Sequence, residues 1–196
     1  MAKKPFILVV RHPETSANTE GVFRGMLDEP LDDKGIEEAE NTADFLTEHA
    51  IKRIVSSPML RTCQMAQLYA EKSGLQVEQT RGLLPLHNGV FAGLQKEETK
   101  EAFDLFVKNP QVRIPNGESL DNFEDRMFDF YNELFDAAEK ELIVIFCHDS
   151  SIIALDRFVY HESQNRPGIE EIVGPGGVLG VYQDGNHYEL IKLFEP

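Results

Sequence analysis

The chain is poor in residues on which several classes of protein depend. It has no tryptophan, and its two cysteines, Cys63 and Cys147, are too few for a disulfide framework. So few cysteines fit a reducing, cytoplasmic setting, and both thiols fall on apolar faces, so we expect them to be buried. Neither begins a Cys-x5-Arg loop, because Tyr69 and Ile153 stand where the arginine would be. A cysteine-dependent phosphatase is therefore not expected.

Basic residues and long hydrophobic runs are also scarce. Lysine and arginine number 19 against 34 aspartates and glutamates, and the resulting net charge of -15 argues against nucleic acid and anionic membranes as partners. No apolar run approaches the roughly 20 residues that span a bilayer, and residues 1–4 lead directly into a hydrophobic segment. We therefore expect no membrane anchor and no signal peptide, and a single domain over residues 1–196. Because the negative net charge repels phosphorylated ligands at long range, a phosphate site in this protein would need a local cluster of arginines.

Two hydrophobic segments, residues 6–10 and 142–147, each end in a histidine. The first runs into Arg11-His12 and the second into His148-Asp149. Continuous apolar segments of this length are typical of strands buried on both faces. Open α/β sheets bind their ligands at the carboxyl ends of such strands. The sequence therefore predicts one site built from both ends of the chain.

A third segment, residues 54–63, predicts a short strand, a Ser-Pro turn and the start of a helix. Pro58 suits the first helical turn, and Ser57 can cap its free amide groups. This arrangement places Arg61 in the first turn of a helix that leaves the same edge of the sheet. The segment thus adds a second arginine to the predicted site.

The remaining pattern alternates between helices and strands, which predicts an α/β protein. We predict helices over residues 33–49, 59–72, 95–107, 120–139 and 152–160, with Ser119 as the cap of the fourth. Further strands are predicted at 53–55, 75–78, 178–182 and 188–193. The last two are joined around Asp184-Gly185, a typical hairpin turn.

At this point the chain resembles the histidine phosphatase superfamily, the phosphoglycerate-mutase-like proteins. The resemblance implies a three-layer α/β/α sandwich with a mostly parallel sheet. Its motifs follow the family order from residue 6 to about residue 180: Arg11-His12-x-Glu14-Thr15 with Asn18, Gly25-x-x-Asp28-x-Pro30-Leu31 with Gly35, Ser56-Ser57-Pro58-x-x-Arg61-Thr62, Gly89-x-Phe91-x-Gly93-Leu94, Pro115-x-Gly117-Glu118-Ser119, and His148.

The resemblance also implies the chemistry of the site. His12 would attack phosphorus with one ring nitrogen while a hydrogen bond holds the other. Arg11, Arg61 and a protonated His148 would stabilise the charge on the transferring phosphoryl group, and Asn18 would add a neutral donor. Water would then hydrolyse the phosphohistidine. This chemistry needs neither a metal nor a cofactor.

Three positions depart from the family pattern. Pro13 replaces the usual glycine after the first histidine and removes a backbone donor. Pro85 stands where mutase-like members carry the glutamate that donates a proton. Asp149 is similar to the aspartate that protonates the leaving group in the acid phosphatase and phytase branch, so we expect it to be the general acid, with His87 as a second candidate. Alternatively, Asp149 only caps the helix that begins near Ser150.

Two further residues have open assignments. Arg24 is expected to line the mouth of the site and contact the part of the substrate that is not transferred, although an ordinary surface arginine fits the pattern equally well. Glu118 belongs to a family motif, but an electrostatic role in the first turn of its helix explains it as well. We expect substrate specificity to reside in the loops at 83–96 and 109–118.

These expectations favour a phosphatase that hydrolyses a small phosphate ester or the phosphorylated side chain of a protein through a phosphohistidine on His12. The alternative is a weakly active or inactive family member that binds phosphorylated ligands or proteins. Pro13 and Pro85 favour that alternative, whereas the joint presence of the two histidines and two arginines favours an enzyme. A phosphoglycerate-type mutase fits less well, because the chain is short of the extra segments of the cofactor-dependent mutases. A homodimer is compatible with the sequence.

Overall fold

The structure is a computed structural model that describes residues 4–160, 173–185 and 187–196. Strands and helices alternate along these residues, as the sequence pattern predicted. The strands are β1 (Ile7–Arg11), β2 (Arg53–Ser56), β3 (Val77–Gln79), β4 (Ile143–Cys147), β5 (Val178–Asp184) and β6 (His187–Phe194). The helices are α1 (Ser16–Glu20), α2 (Asp33–Thr47), α3 (Leu60–Ser73), α4 (Lys96–Lys108), α5 (Leu120–Ala138) and α6 (Asp149–Tyr160).

The strands form one sheet in the order β3-β2-β4-β1-β5-β6. The first four are parallel to one another, and β5 runs antiparallel to both β1 and β6. Every residue of the central strands β1 and β4 is buried, which explains why both read as continuous hydrophobic segments. The mostly parallel sheet is thereby confirmed.

Helices cover both faces of this sheet. On one face, apolar residues of α5 and α6 pack against strand side chains that include Val9 and Ile145. On the other face, residues of α2 and α3 pack against strand side chains that include Val10 and Phe146. The side chains of a strand alternate between its faces, so neighbouring residues such as Val9 and Val10 enter different cores. The predicted three-layer α/β/α sandwich is confirmed.

The sheet register places the predicted site residues side by side. Arg11 pairs with Cys147, and Ser56 pairs with Phe146. Hydrogen bonds continue one residue further, from His12 N to Cys147 O at 3.0 Å and from Ser57 N to Phe146 O at 3.0 Å. The strand ends therefore hold His12, Ser57 and the residue after Cys147 along one edge.

Several local features differ from the sequence prediction. The five-residue helix α1 was not predicted, because one and a half turns carry no usable periodicity. Helix α6 begins at Asp149, three residues before the predicted start. Cys147 is buried as expected, but Cys63 is only half-buried, and its thiol donates to the Ser57 carbonyl at 3.4 Å. Ser119 caps α5 as predicted, accepting a hydrogen bond from Asn122 N.

Two glycines join the loops that were expected to govern specificity. Gly89 has a φ of 51°, and a Cβ there would lie 2.1 Å from the Pro115 carbonyl oxygen. A Cβ on Gly117 would lie 2.2 Å from the His87 carbonyl oxygen. Only glycine allows these two backbones to approach so closely.

No helix of the described ranges has the length and apolar character needed to cross a bilayer.

Candidate active site

A cavity of about 170 Å³ lies at the carboxyl edge of the sheet. Its polar lining contains four of the residues that the sequence singled out, namely His12, Arg24, Arg61 and Asp149. Its other lining residues are Phe23, Gly25, Pro85, Leu86, Asn88, Lys96, Phe103, Ser150 and Ile153. A larger groove of about 530 Å³ between α2, α3 and β3 is lined by none of the predicted site residues. Because the predicted site residues line the smaller of these two cavities and not the larger, the smaller one is the candidate site.

His12 is buried and held in one tautomer. Its Nδ1 lies 2.7 Å from the Pro13 carbonyl oxygen, and because a carbonyl can only accept, Nδ1 carries the proton. The opposite nitrogen, Nε2, then presents a lone pair. Burial, followed by the charges of Arg24 and Arg61, holds the pKa of His12 well below its ordinary value. The ring is therefore neutral at pH 7, as a nucleophile must be.

His148 lies behind His12, with 5.5 Å between the ring centroids. Its Nε2 is 2.8 Å from Ser57 Oγ, so this serine orients the ring. Burial and then Arg61 hold the pKa of His148 well below its ordinary value. His148 is thus neutral here, because burial and neighbouring arginines disfavour another positive charge, so the condition of a protonated ring under which the sequence gave it a role is not met. The role of Ser57 differs from the predicted helix cap, since Met59 takes the cap position of α3.

Arg61 is almost fully buried in the first turn of α3. Its Nη1 donates to the Leu27 carbonyl at 2.8 Å and its Nη2 to the Gly25 carbonyl at 3.1 Å. These bonds fix the guanidinium group against the loop that follows Arg24. Burial, followed by the charge of Arg24, lowers the pKa of Arg61 to about 10, so the group remains a cation at pH 7.

Arg24 and Arg11 flank the carboxylate of Asp149. Asp149 Oδ2 lies 3.5 Å from Arg24 Nη2 and 4.0 Å from Arg11 Nη2. Arg24 is buried and lines the cavity, whereas Arg11 reaches Asp149 from outside the lining and donates to the Val173 carbonyl at 3.0 Å. Burial alone would raise the pKa of Asp149, but Arg24, Arg11 and Lys96 lower it to about 2. The unliganded site therefore holds Asp149 as a carboxylate.

Arg24 is supported by Asn18, which was expected to contact phosphate directly, and by Thr15 and Glu29, to which the sequence assigned no role. Asn18 Oδ1 accepts hydrogen bonds from Arg24 Nη1 and, at 3.1 Å, from the Thr15 backbone. Thr15 Oγ1 lies 3.5 Å from Arg24 Nη1 and donates to Glu29 Oε1 at 2.6 Å. Asn18 does not line the cavity itself, but it orients Arg24, which does. Thr15 and Glu29 form an outer layer that only the three-dimensional arrangement reveals.

The other predicted residues occupy supporting positions. His87 is exposed, does not line the cavity, and accepts a hydrogen bond at Nδ1 from Gly89 N at 3.2 Å. Glu118 accepts from His87 N at 2.9 Å and from Arg126 Nη2 at 3.0 Å, so its carboxylate ties the loop to α5. Pro85 lines the cavity. Of the two loops expected to govern specificity, residues 83–96 contribute to the lining, and 109–118 support them from behind.

Asp149 combines the two alternatives that the sequence left open. It is the first residue of α6, and its Oδ1 accepts from Ser150 N at 2.8 Å. The same carboxylate lines the cavity and faces two arginines through Oδ2. A capping contact therefore does not remove Asp149 from the site, because its two oxygens have different partners.

Four buried nitrogen atoms at this edge lack a hydrogen-bond partner among the described residues. They are Arg11 Nε, His12 Nε2, Arg61 Nε and His148 Nδ1. Buried polar atoms are nearly always paired, so a cluster of unpaired ones calls for an explanation. The described ranges contain no group of three His, Cys, Asp or Glu side chains placed to hold a metal ion. A tetrahedral oxyanion supplies acceptors for the two guanidinium Nε–H groups, whereas the lone pair on His12 Nε2 needs no acceptor and suits an electrophile such as phosphorus.

Comparison with known proteins agrees with this geometry. The family model for branch 1 of the histidine phosphatase superfamily matches residues 7–178. The chain is 38% identical over 157 residues to phosphoglycerate mutase-like protein 4 of Arabidopsis thaliana, across 76% of this chain and 68% of that protein. It is 29% identical over 147 residues to phosphoserine phosphatase 1 of Hydrogenobacter thermophilus, across 72% of this chain and 70% of that protein.

A solved structure gives the same fold. The alpha-ribazole phosphatase of Shigella flexneri superimposes with a TM-score of 0.79 at 23% identity, covering 95% of each chain. The region matched by the family model runs from β1 to the start of β5 and includes each strand whose carboxyl end contributes a residue to the site. The chain therefore belongs to branch 1 of the histidine phosphatase superfamily.

Proposed function

We propose that this protein is a phosphatase that hydrolyses a small phosphate monoester through a phosphohistidine on His12. The observation that carries the proposal is the cluster of four unpaired, buried nitrogens on Arg11, His12, Arg61 and His148. A neutral imidazole with a free Nε2 beside fixed guanidinium groups is suited to phosphoryl transfer, in which charge develops on the peripheral oxygens. The proposal accords with the phosphatase names of several relatives.

In the first step, His12 Nε2 attacks phosphorus and the bond between phosphorus and the ester oxygen breaks. The departing oxygen needs a proton, which Asp149 is placed to supply. Asp149 is ionised in the unliganded site, where arginines lower its pKa to about 2. A bound phosphate competes for the same guanidinium groups and adds negative charge, so it raises the pKa of Asp149. A substrate that enters as a monoanion brings the proton that Asp149 then delivers.

In the second step, water attacks the phosphorus of the phosphohistidine, and the bond to Nε2 breaks. Asp149, now a carboxylate again, accepts the proton of that water. The products are inorganic phosphate and neutral His12. Pro13 keeps the tautomer through both steps, because its carbonyl oxygen 2.7 Å from Nδ1 accepts the ring proton.

A second candidate, a phosphate-binding protein without turnover, is favoured by one observation. Pro85 lies in the cavity lining, at the position where the resemblance to mutase-like family members implies an acidic residue. If Asp149 does not take over the acid role, phosphorylated ligands would bind but esters with poor leaving groups would persist. The two candidates therefore differ in turnover, whereas both predict binding of phosphate.

Hydrolysis of p-nitrophenyl phosphate from mildly acidic to neutral pH tests the proposal. This ester has a good leaving group and needs little help from a general acid. We expect turnover in the wild type, its loss in His12→Ala, and no loss in His49→Ala, which removes a half-buried histidine at the end of α2. A wild type that binds vanadate but releases no p-nitrophenol would support the binding protein instead.

A further inference from the structure

The outer part of the cavity differs in chemistry from its floor. The floor of the cavity consists of His12, Arg24 and Arg61 together with Asp149. The wall above this floor is apolar and consists of Phe23, Pro85, Leu86, Phe103 and Ile153. Ile153, on α6, lines the cavity, and 39% of its surface is exposed to solvent. Phe23, Leu86 and Phe103 are only partly buried as well. The wall thus presents apolar surface that a ligand in the cavity would cover.

The aromatic part of this wall is firmly supported. The rings of Phe23 and Phe103 lie 4.6 Å apart between centroids. Phe91 is buried beneath them and contacts Phe103 edge-on at 5.4 Å. Ile114 and Leu120 complete this small core. A platform with its own core holds its shape before a ligand arrives, so little ordering cost opposes binding.

Three polar side chains lie along the wall, namely Asn88, Lys96 and Ser150, and the last two are already engaged. Ser150 Oγ accepts a hydrogen bond from Leu86 N at 3.3 Å. Lys96 lies close enough to Asp149 to lower the pKa of that carboxyl, and the two charges offset each other. A substrate alcohol bearing hydroxyl or ammonium groups would therefore lose water contacts without full replacement. Leaving such groups unpaired costs binding free energy.

The cavity also limits the size of the substrate. Its volume of about 170 Å³ can enclose the phosphoryl group and a small part of an alcohol beyond it. Pockets for drug-sized ligands start at about 300 Å³. The room beyond the phosphate therefore suits an alcohol of a few carbon atoms or a single ring.

We propose that the wall formed by Phe23, Pro85, Leu86, Phe103 and Ile153 is a leaving-group subsite that selects phosphate monoesters of small apolar alcohols. This inference rests on the proposed phosphatase function. Removal of one methylene group from water contributes about a fourfold gain in affinity. If the wall covers the alcohol in the transition state, kcat/KM rises by this factor with each added methylene until the cavity is full.

A series of alkyl phosphates tests the subsite. Ethyl, propyl and butyl phosphate have alcohols of nearly equal acidity, so differences in kcat/KM report binding by the wall. Glycerol phosphate and phosphoserine serve as polar esters of similar size. We expect kcat/KM to rise along the alkyl series and to exceed that of the polar esters at butyl phosphate by about tenfold. A flat series, or a preference for the polar esters, would overturn the subsite.

Variants connect this selectivity to the wall. Ile153→Ser and Phe103→Ser should flatten the alkyl series, whereas Leu105→Ser should retain the rise. Leu105 lies on α4 with Phe103 but is 61% exposed and outside the lining, which makes it a matched control. Ile153→Ser changes an already exposed side chain and should leave folding intact. An unchanged series in a folded Ile153→Ser protein would argue against the wall.

Alkylphosphonates separate the subsite from catalysis, because they bind without being hydrolysed. Calorimetry should show affinity increasing from methylphosphonate to butylphosphonate, with the increase reduced in Ile153→Ser. If the wild type hydrolyses p-nitrophenyl phosphate through His12 but gains nothing from longer chains, the function stands and the subsite fails. If no ester is turned over but the phosphonate series holds, the phosphatase proposal fails and the subsite describes a binding protein.

Discussion

The floor and the wall of the cavity are built in different ways. Most floor residues follow the ends of buried strands or lie in the first turns of helices that begin there, and a sheet hydrogen bond fixes the backbone of His12. Arg24 is the exception, because it lies in the loop between α1 and α2. Most wall residues come from loops and from α4, a helix without a single fully buried residue. In the proposed site, the main sheet therefore positions most of the reacting groups, while a small separate core holds the aromatic surface that would contact the alcohol. Chemistry and selectivity can consequently be altered independently.

The largest effect that would test this comparison is expected at the floor. Arg61→Ala removes a buried cation from the transferring group, and we expect kcat to fall by about a thousandfold. The measurement is p-nitrophenyl phosphate turnover. Because Arg61 also holds the Leu27 and Gly25 carbonyls, thermal unfolding of the variant must be measured alongside.

Arg61→Lys serves as the matched variant, since it keeps the charge but loses the planar fork. We expect it to recover little activity, because a single ammonium group cannot hold both carbonyls and also donate to phosphate. Near-wild-type turnover in Arg61→Lys or Arg61→Ala would show that the floor does not depend on this guanidinium group.

A smaller and more selective effect is expected at Asp149. Asp149→Asn keeps the shape of the side chain but cannot supply a proton, so esters with poor leaving groups should lose about a hundredfold in kcat. p-Nitrophenyl phosphate should lose much less. Since the pKa of Asp149 is about 2 without ligand, phosphate binding should take up a proton and strengthen as the pH falls from neutral.

Calorimetry in buffers of different ionisation enthalpy measures that proton uptake, and the portion due to Asp149 should be absent in Asp149→Asn. Equal losses for good and poor leaving groups would remove Asp149 from the acid role. Such a result would leave it a residue that only neutralises Arg24 and Arg11, with which its carboxylate makes ion-pair contacts.

The fold could be predicted from the sequence because its signals are strong and local. Buried strands read as apolar runs, as at 6–10 and 142–147, and amphipathic helices such as α5 show their spacing. The residues of the floor were found because motif residues follow those strands. By contrast, Thr15 and Ser57 stand in the motifs, but the sequence does not show that Thr15 contacts Glu29 or that Ser57 contacts His148, because these contacts join distant segments. The charge of His148 was also beyond prediction, because burial and Arg61 set it together.

The wall escaped prediction for a related reason. Phe23, Phe103 and Ile153 lie on three different elements, and each is an ordinary apolar residue in its own segment. Packing around Phe91 brings Phe23 and Phe103 together, and Ile153 joins them in the cavity lining from α6. Residues that line a site because they pack on a small separate core therefore have to be identified from the structure.

The smallest predicted effect lies behind the floor, at Glu29. Its Oε1 accepts a hydrogen bond from Thr15 Oγ1 at 2.6 Å. This bond orients the hydroxyl group so that its oxygen faces Arg24 Nη1. Glu29→Ala should loosen Arg24 and raise KM by about fivefold, the equivalent of one hydrogen bond, with a smaller change in kcat. Glu29→Gln keeps an acceptor and should recover part of this loss.

Glu37→Ala is the control, because Glu37 is an exposed glutamate on α2 outside the cavity lining. A fall in kcat as large as the rise in KM would mean that Glu29 acts on the transition state and does more than orient the arginine that binds phosphate. An unchanged KM in Glu29→Ala would mean that Asn18 and Asp149 hold Arg24 without help from Glu29. The one arginine of the floor that no strand positions would then depend only on its direct partners, and the outer layer of Thr15 and Glu29 would have no part in the contrast between floor and wall.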